Sequence, residues 1–99
     1  MREVAHLGQV DRRDVGGYIQ LDGLEIRGGL AYGPTRLSVY RVIAVDDGGI
    51  WILGVWDLEP RVILPGQFGQ RARIWTFGEY LAIPERPRPV VAALLPGRG

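Results

Sequence analysis

Leu37 to Trp56 reads LSVYRVIAVDDGGIWILGVW, two apolar runs either side of Asp46-Asp47-Gly48-Gly49. Asp-Gly between two such runs is a strong hairpin signal, because a type I′ turn needs φ > 0 at both central residues. With Asp47-Gly48 as the loop, Val45 stands opposite Ile50, Ile43 opposite Ile52 and Val39 opposite Trp56. On the other face Ala44 meets Trp51, Val42 meets Leu53 and Tyr40 meets Val55. Arg41 is the main charged exception on either face. A strand pair that is apolar on both faces needs cover on both. This hairpin is therefore expected in the core, with its second face met by another layer or another chain.

The flanking segments also read as strands. Residues 3–10 (EVAHLGQV) are expected to form a short first strand, and Asp11-Arg12-Arg13-Asp14 a solvated turn of balanced charge. Tyr18 to Arg27 alternates cleanly. With Asp22-Gly23 as its turn, Leu21 faces Leu24 and Ile19 faces Ile26. Gly28-Gly29 and Gly33-Pro34 bracket a short strand, Leu30–Tyr32. Pro60 ends the central hairpin, and Arg61 to Leu64 is a strand stopped by Pro65-Gly66. Gln70 to Ile83 is expected as a third hairpin, with Gly78-Glu79 in a type II′ turn and Phe77 facing Tyr80. The only helical candidates are Val90–Leu95 and one turn near Asp57–Pro60.

Short strands punctuated by Gly and Pro predict an all-β fold. The expected form is a small antiparallel β-barrel or sandwich built from three hairpins over residues 1–84. Residues 85–99 are expected to be a Pro/Arg-rich linker and an extended, apolar C-terminal arm, the run Pro84–Pro89 being stiff and polyproline-like. Ninety-nine residues make one domain, able to bury about two-thirds of its unfolded surface.

Composition narrows function by exclusion. The chain carries 12 basic and 11 acidic residues, net +1, short of the excess expected of a dedicated nucleic-acid binder. It has no Cys, hence no disulfide framework and no thiolate metal site. No apolar run reaches the roughly 18 residues of a membrane helix, so no membrane partner is expected. The opening MREVAHLGQV lacks the apolar core of a signal peptide. Every basic residue is Arg and Asn is absent, a bias that a GC-rich genome or adaptation to heat would produce.

No catalytic constellation emerges. His6 is the only histidine and has no neighbouring ligand types. Ser38 is the only serine and lacks the G-x-S-x-G turn that would expose a nucleophile. Asp46/Asp47 and Asp57/Glu59 lack calcium-loop spacing, and Asp is favoured in turns for backbone reasons. The chain is expected to be non-enzymatic, with no cofactor and no metal.

Two surfaces remain as binding candidates. The first is the spare apolar face of the central hairpin, with Tyr40, Trp51, Leu53, Val55 and Trp56, together with Val91, Leu94 and Leu95 of the arm. Two Trp left in water would approach the few hundred Å² that marks an interaction site. That predicts protein partners: a homo-oligomer or a larger assembly. The second is Arg71, Arg73, Trp75 and Phe77, which share one face at strand spacing. Guanidinium groups beside aromatics suit single-stranded nucleic acid, giving an OB- or SH3-like binding barrel as the alternative. A small-ligand barrel lined by Trp51, Trp56 and Trp75 is a third possibility.

Residues 62–87 run from a strand through Pro65-Gly66 to a basic strand and then Trp75-Thr76-Phe77-Gly78-Glu79-Tyr80-Leu81-Ala82-Ile83-Pro84. This stretch resembles the C-terminal half of tailed-phage head–tail connector proteins, neck or stopper-type small β-barrels with a Gly-x-Tyr hairpin followed by an apolar strand and a Pro. Leu7-Gly8-Gln9-Val10-Asp11-Arg12-Arg13 followed by Gly16-Gly17 is similar to their N-terminal strand and loop. The central hairpin has no counterpart in that resemblance. The resemblance implies a ring-forming virion component without enzymatic activity. It places the chain in the virion if phage-derived, and in the cytoplasm otherwise.

Overall fold

In the computed structural model, residues 1–21, 25–27, 30–32 and 35–83 are described. The central hairpin forms from β5 (Tyr40–Asp46) and β6 (Gly49–Leu53). Asp46 stands opposite Gly49, Val45 opposite Ile50 and Ala44 opposite Trp51, as the Asp47-Gly48 loop requires. The Asp46 carboxylate closes the turn, accepting from Gly48 N–H at 2.8 Å and Trp51 Nε1–H at 3.3 Å. The register then shifts by one: Val42 faces Ile52 and Arg41 faces Leu53, leaving Ile43 as a bulge. Regular alternation would put Val42 and Tyr40 on the face opposite Val45. The bulge instead turns Val42 inward to full burial and brings Tyr40 against the core. The expected pairs Val42–Leu53, Tyr40–Val55 and Val39–Trp56 are not made. Val39 is buried, while Trp56 is 78% exposed.

Six strands form one antiparallel sheet. Its members besides β5 and β6 are β1 (Arg2–Val4), β2 (Tyr18–Leu21), β7 (Arg61–Ile63) and β8 (Ala72–Trp75). The order is β1-β8-β2-β5-β6-β7. The class is all-β and antiparallel, as expected. The ladder does not close into a barrel, since β1 and β7 are its two edges among the described residues. One core cluster nonetheless draws on every strand of the sheet, through Val4, Ala72, Ile74, Ile19, Val42, Ile50, Ile52 and Ile63.

The first expected hairpin is corrected. β2 does not pair with β3 (Glu25–Arg27); it lies between β8 and β5, with Ile19 opposite both Ile74 and Tyr40. β3 pairs instead with β4 (Leu30–Tyr32), Arg27 opposite Leu30. The two residues between them in the sequence are Gly28 and Gly29; these and the expected Asp22-Gly23 turn lie outside the described residues. A central position buries Ile19 completely and satisfies both edges of β2, which a lone hairpin cannot do.

The first strand ends at Val4 rather than running to Val10. The Gln9 carboxamide reaches back and accepts from Ala5 N–H at 2.7 Å and His6 N–H at 3.3 Å. That local bond competes with the sheet ladder and folds Leu7–Gln9 into a 3-10 turn. Leu7 and Val10 then fall into the core. Arg12–Asp14 is a second 3-10 turn, and the charged run is more than a solvated loop. Asp14 is buried, its two carboxylate oxygens each 2.9 Å from Arg2 Nη2, and it also accepts from Asp11 N–H at 3.0 Å. Beside it, hydrogen bonds from Arg13 hold the exposed Asp11 carboxyl below its ordinary value.

The third hairpin is replaced by a helix, α1 (Phe77–Ala82). Thr76-Phe77-Gly78-Glu79 is a capping box: Thr76 Oγ1 accepts from Glu79 N–H at 3.2 Å and Glu79 Oε1 accepts from Thr76 N–H at 2.9 Å. Two satisfied donors at the helix start outweigh a Gly-Glu turn with no second strand to serve. The helix packs on the outer side of β2, where Tyr80 stacks on Tyr18 with ring centroids 3.8 Å apart. Thr76→Ala is expected to cost about 1 kcal/mol, a melting-temperature loss of about 4–8 °C read by thermal circular dichroism. Residues 84–99, which include the expected linker and arm, lie outside the described residues.

A candidate protein-docking surface

Between β6 and β7 the chain reverses through Gly54-Val55-Trp56-Asp57. Asp57 N–H donates to the Gly54 carbonyl at 3.2 Å, closing the turn. The Asp57 carboxylate does the rest. Its Oδ2 accepts from Gly54 N–H at 2.8 Å, from Arg61 Nε–H at 3.1 Å and from Arg61 Nη2 at 3.1 Å. The Arg61 guanidinium lies over the Tyr40 ring, 5.0 Å from its centroid. Tyr40 first, then Asp57, raise the Arg61 pKa above its ordinary value. Gly54 is required here for close approach. A Cβ at that position would sit 2.8 Å from Asp57 Oδ2 and 3.0 Å from two Tyr40 ring carbons.

The turn is thus pinned from beneath, while its other side faces water. Val55 is exposed, Trp56 is 78% exposed and Leu58 is 98% exposed. Trp56 and Leu58 together leave on the order of 300 Å² of apolar surface in solvent. A Trp carried on a buttressed turn needs little backbone ordering on binding, which is how interface anchors gain affinity.

The expected interface residues separate into three groups. Val55 and Trp56 are on this exposed turn. Trp51 and Leu53 lie half-buried on the outer face of β6, in register with Ala44 and Arg41. Tyr40 is corrected: it packs inward on the core and supports the turn rather than presenting a surface. Val91, Leu94 and Leu95 lie outside the described residues. Leu58 escaped the sequence reading because it fits no strand pattern. The Gly54-x-x-Asp57 spacing ahead of Arg61 is the signal that could have found the turn.

The Arg/aromatic set does not assemble on one strand. Arg73 and Trp75 share the outer face of β8, opposite Gln20 and Tyr18 of β2. Arg73 Nε lies 3.4 Å from Glu3 Oε1. Arg71 is exposed just before the strand. Phe77 leaves the strand altogether as the first residue of α1, 6.5 Å from Tyr18. A cleft of about 450 Å³ opens nearby, bordered by Arg2, Arg13, Asp14, Trp75, Phe77 and Glu79. Its charges are matched: Arg2 with Asp14, Arg13 with Asp11, and the Met1 ammonium with Glu79. Of the three Trp expected to line a ligand barrel, only Trp75 borders this cleft.

The remaining polar candidates have local roles. Ser38 sits in a 3-10 turn, Arg36–Ser38, where its hydroxyl donates to the Thr35 carbonyl at 2.9 Å and accepts from Thr35 N–H at 3.1 Å. Among the described residues no three His, Asp or Glu side chains come together as metal ligands. No helix among them is long and apolar enough to cross a membrane. The fold defines a small antiparallel all-β module with an exposed apolar turn beside one sheet edge. Comparison with protein-family models, curated proteins and solved structures finds no match.

Proposed function

We infer that the chain is a non-enzymatic assembly module that docks on neighbouring protein subunits through the Val55–Leu58 turn. The observation that carries this is Trp56, 78% exposed yet held on a turn fixed by Asp57, Arg61 and Tyr40. Solvent exposure of a large apolar side chain is costly to solubility, and a buttressed turn keeps it from collapsing onto the domain. The finer reading is a virion component of the head–tail connector kind. It rests on the resemblance of residues 62–76, and draws less on residues 77–82, where a helix stands in place of a hairpin, and on residues 7–17, where two 3-10 turns stand in place of a strand. The nucleic-acid alternative draws less support, because Arg73 faces Glu3 and Phe77 departs from the strand.

The test is co-expression with the products of the adjoining genes, followed by purification of the complex. Trp56→Asp and Leu58→Asp alter exposed side chains and should leave the melting temperature within about 0.5 kcal/mol-equivalent of the parent. Each is expected to weaken the complex at least tenfold. A complex that tolerates both substitutions would remove the turn from the interface.

A further inference from the structure

The two edges of the sheet are unlike. β1 carries Arg2, engaged with Asp14, and Glu3, facing Arg73. β7 is Arg61-Val62-Ile63, and among the described residues nothing pairs with its outer side. Which of its backbone groups face outward follows from the ladder. A two-residue loop makes Asp46 and Gly49 a hydrogen-bonded pair, so the backbone groups of Ile50 point away from β5, towards β7. Ile50 stands opposite Ile63, and the Ile63 carbonyl oxygen is the nearest atom to a Cβ built on Gly49. Ile63 and Arg61 therefore bond inward to β6. Val62 turns both its N–H and its C=O to the open edge.

We propose that a second copy of this chain pairs with that edge, β7 against β7, antiparallel about a two-fold axis through Val62. This deepens the assembly reading by naming the partner, and it rests on the edge strand rather than on the turn alone. One residue offering both a donor and an acceptor is self-complementary: Val62 of each copy exchanges two hydrogen bonds with Val62 of the other. Pro60 and Pro65, which donate no N–H, bracket the strand and prevent the pairing from slipping or extending.

The side chains agree with this register. Val62 lies opposite Trp51 on the outer face, and both are half-buried. Pairing about Val62 continues that apolar row from Trp51 and Val62 of one copy to Val62 and Trp51 of the other. Arg61 stands opposite Ile63, so no like charges face each other. Leu64, 54% exposed, comes alongside the Pro60 end of the partner strand, where Leu58 is 98% exposed. The exposed leucines at either end of β7 thus flank the same contact twice.

Sedimentation equilibrium and amide hydrogen exchange of the full chain test this. The expected result is a mass that doubles with concentration, accompanied by rising protection of the Val62 amide. Leu64→Glu, outside the Val55–Leu58 turn, should weaken the dimer at least tenfold. Val62→Pro removes the outward N–H and should abolish it. If Val62→Pro fails to fold, Leu64→Glu and the exchange of Val62 still decide. A chain that stays monomeric at all concentrations overturns the proposal, and so does a dimer with an unprotected Val62 amide. A monomer whose complex with other proteins is lost on Trp56→Asp would leave the docking turn standing while removing this pairing.

Discussion

Replacing Gly49 with alanine will cost the domain about 3 kcal/mol or more and lower its melting temperature by roughly 15 °C. Gly49 has φ 134°, a conformation side chains rarely adopt. It is also buried, and a Cβ there would lie 2.2 Å from the Ile63 carbonyl oxygen and 3.0 Å from Val62 Cγ2. Neither contact can yield cheaply, since one is backbone in a hydrogen-bonded strand. The substitution pushes β7 away from β6, and with it Arg61, the anchor of Asp57 beneath the exposed turn. Gly66→Ala serves as control, because a Cβ at Gly66 meets nothing within 4 Å. It should change stability by less than about 1 kcal/mol. Urea and thermal denaturation read both variants. Equal midpoints for Gly49→Ala and the parent would mean that β6 and β7 are not held at this spacing.

Leu7→Ala is expected to cost about 2–5 kcal/mol, enough to leave a small domain partly unfolded at 37 °C. Leu7 has no exposed surface, although it belongs to a 3-10 turn and to no strand. The turn is held by Gln9 on one side and by the Gly8 N–H donating to the Phe68 carbonyl at 3.3 Å on the other. With both ends tied, the chain cannot settle into the space a shortened side chain leaves, so the cavity persists. Chemical denaturation should show a lower midpoint with an unchanged slope. A loss below about 1 kcal/mol would mean the turn relaxes inward.

The legible parts of the fold were those set by neighbours in sequence. The place of the Asp47-Gly48 loop and the first three pairs of β5 and β6 follow from turn residues and alternation, but the turn is not the expected type I′: the glycine with positive φ is Gly49 rather than Gly48. Choice of partner strand was not legible. Ile19 could as well have met Ile26, and only the completed sheet shows that two neighbours bury it better than one. The helix at Phe77–Ala82 was legible in principle, since Thr76 and Glu79 stand at capping-box spacing, but Gly78 and the aromatic residues read more readily as a hairpin. The docking candidate was visible only in part. Trp56 stands out in the sequence for apolarity, whereas its exposure depends on the turn closed by Gly54 and Asp57, which ends β6 at Leu53 before Trp56 is reached. Leu58, more exposed still, had no pattern to belong to.

The bulge at Ile43 acts as a phase shifter within one strand. Near the loop, β5 keeps time with β6 alone; beyond Ile43 it must also keep time with β2, where Tyr18 faces Arg41. Had the pairing stayed regular through Ile43, both halves would keep one parity and Arg41 would be driven towards the core. A run apolar on both faces is then no longer ambiguous: each half shows the interior a different parity of the same sequence. Removal of Ile43 would leave Val42 opposite Ile52 and Ala44 opposite Trp51 in an unbroken ladder, with the same side chains facing inward.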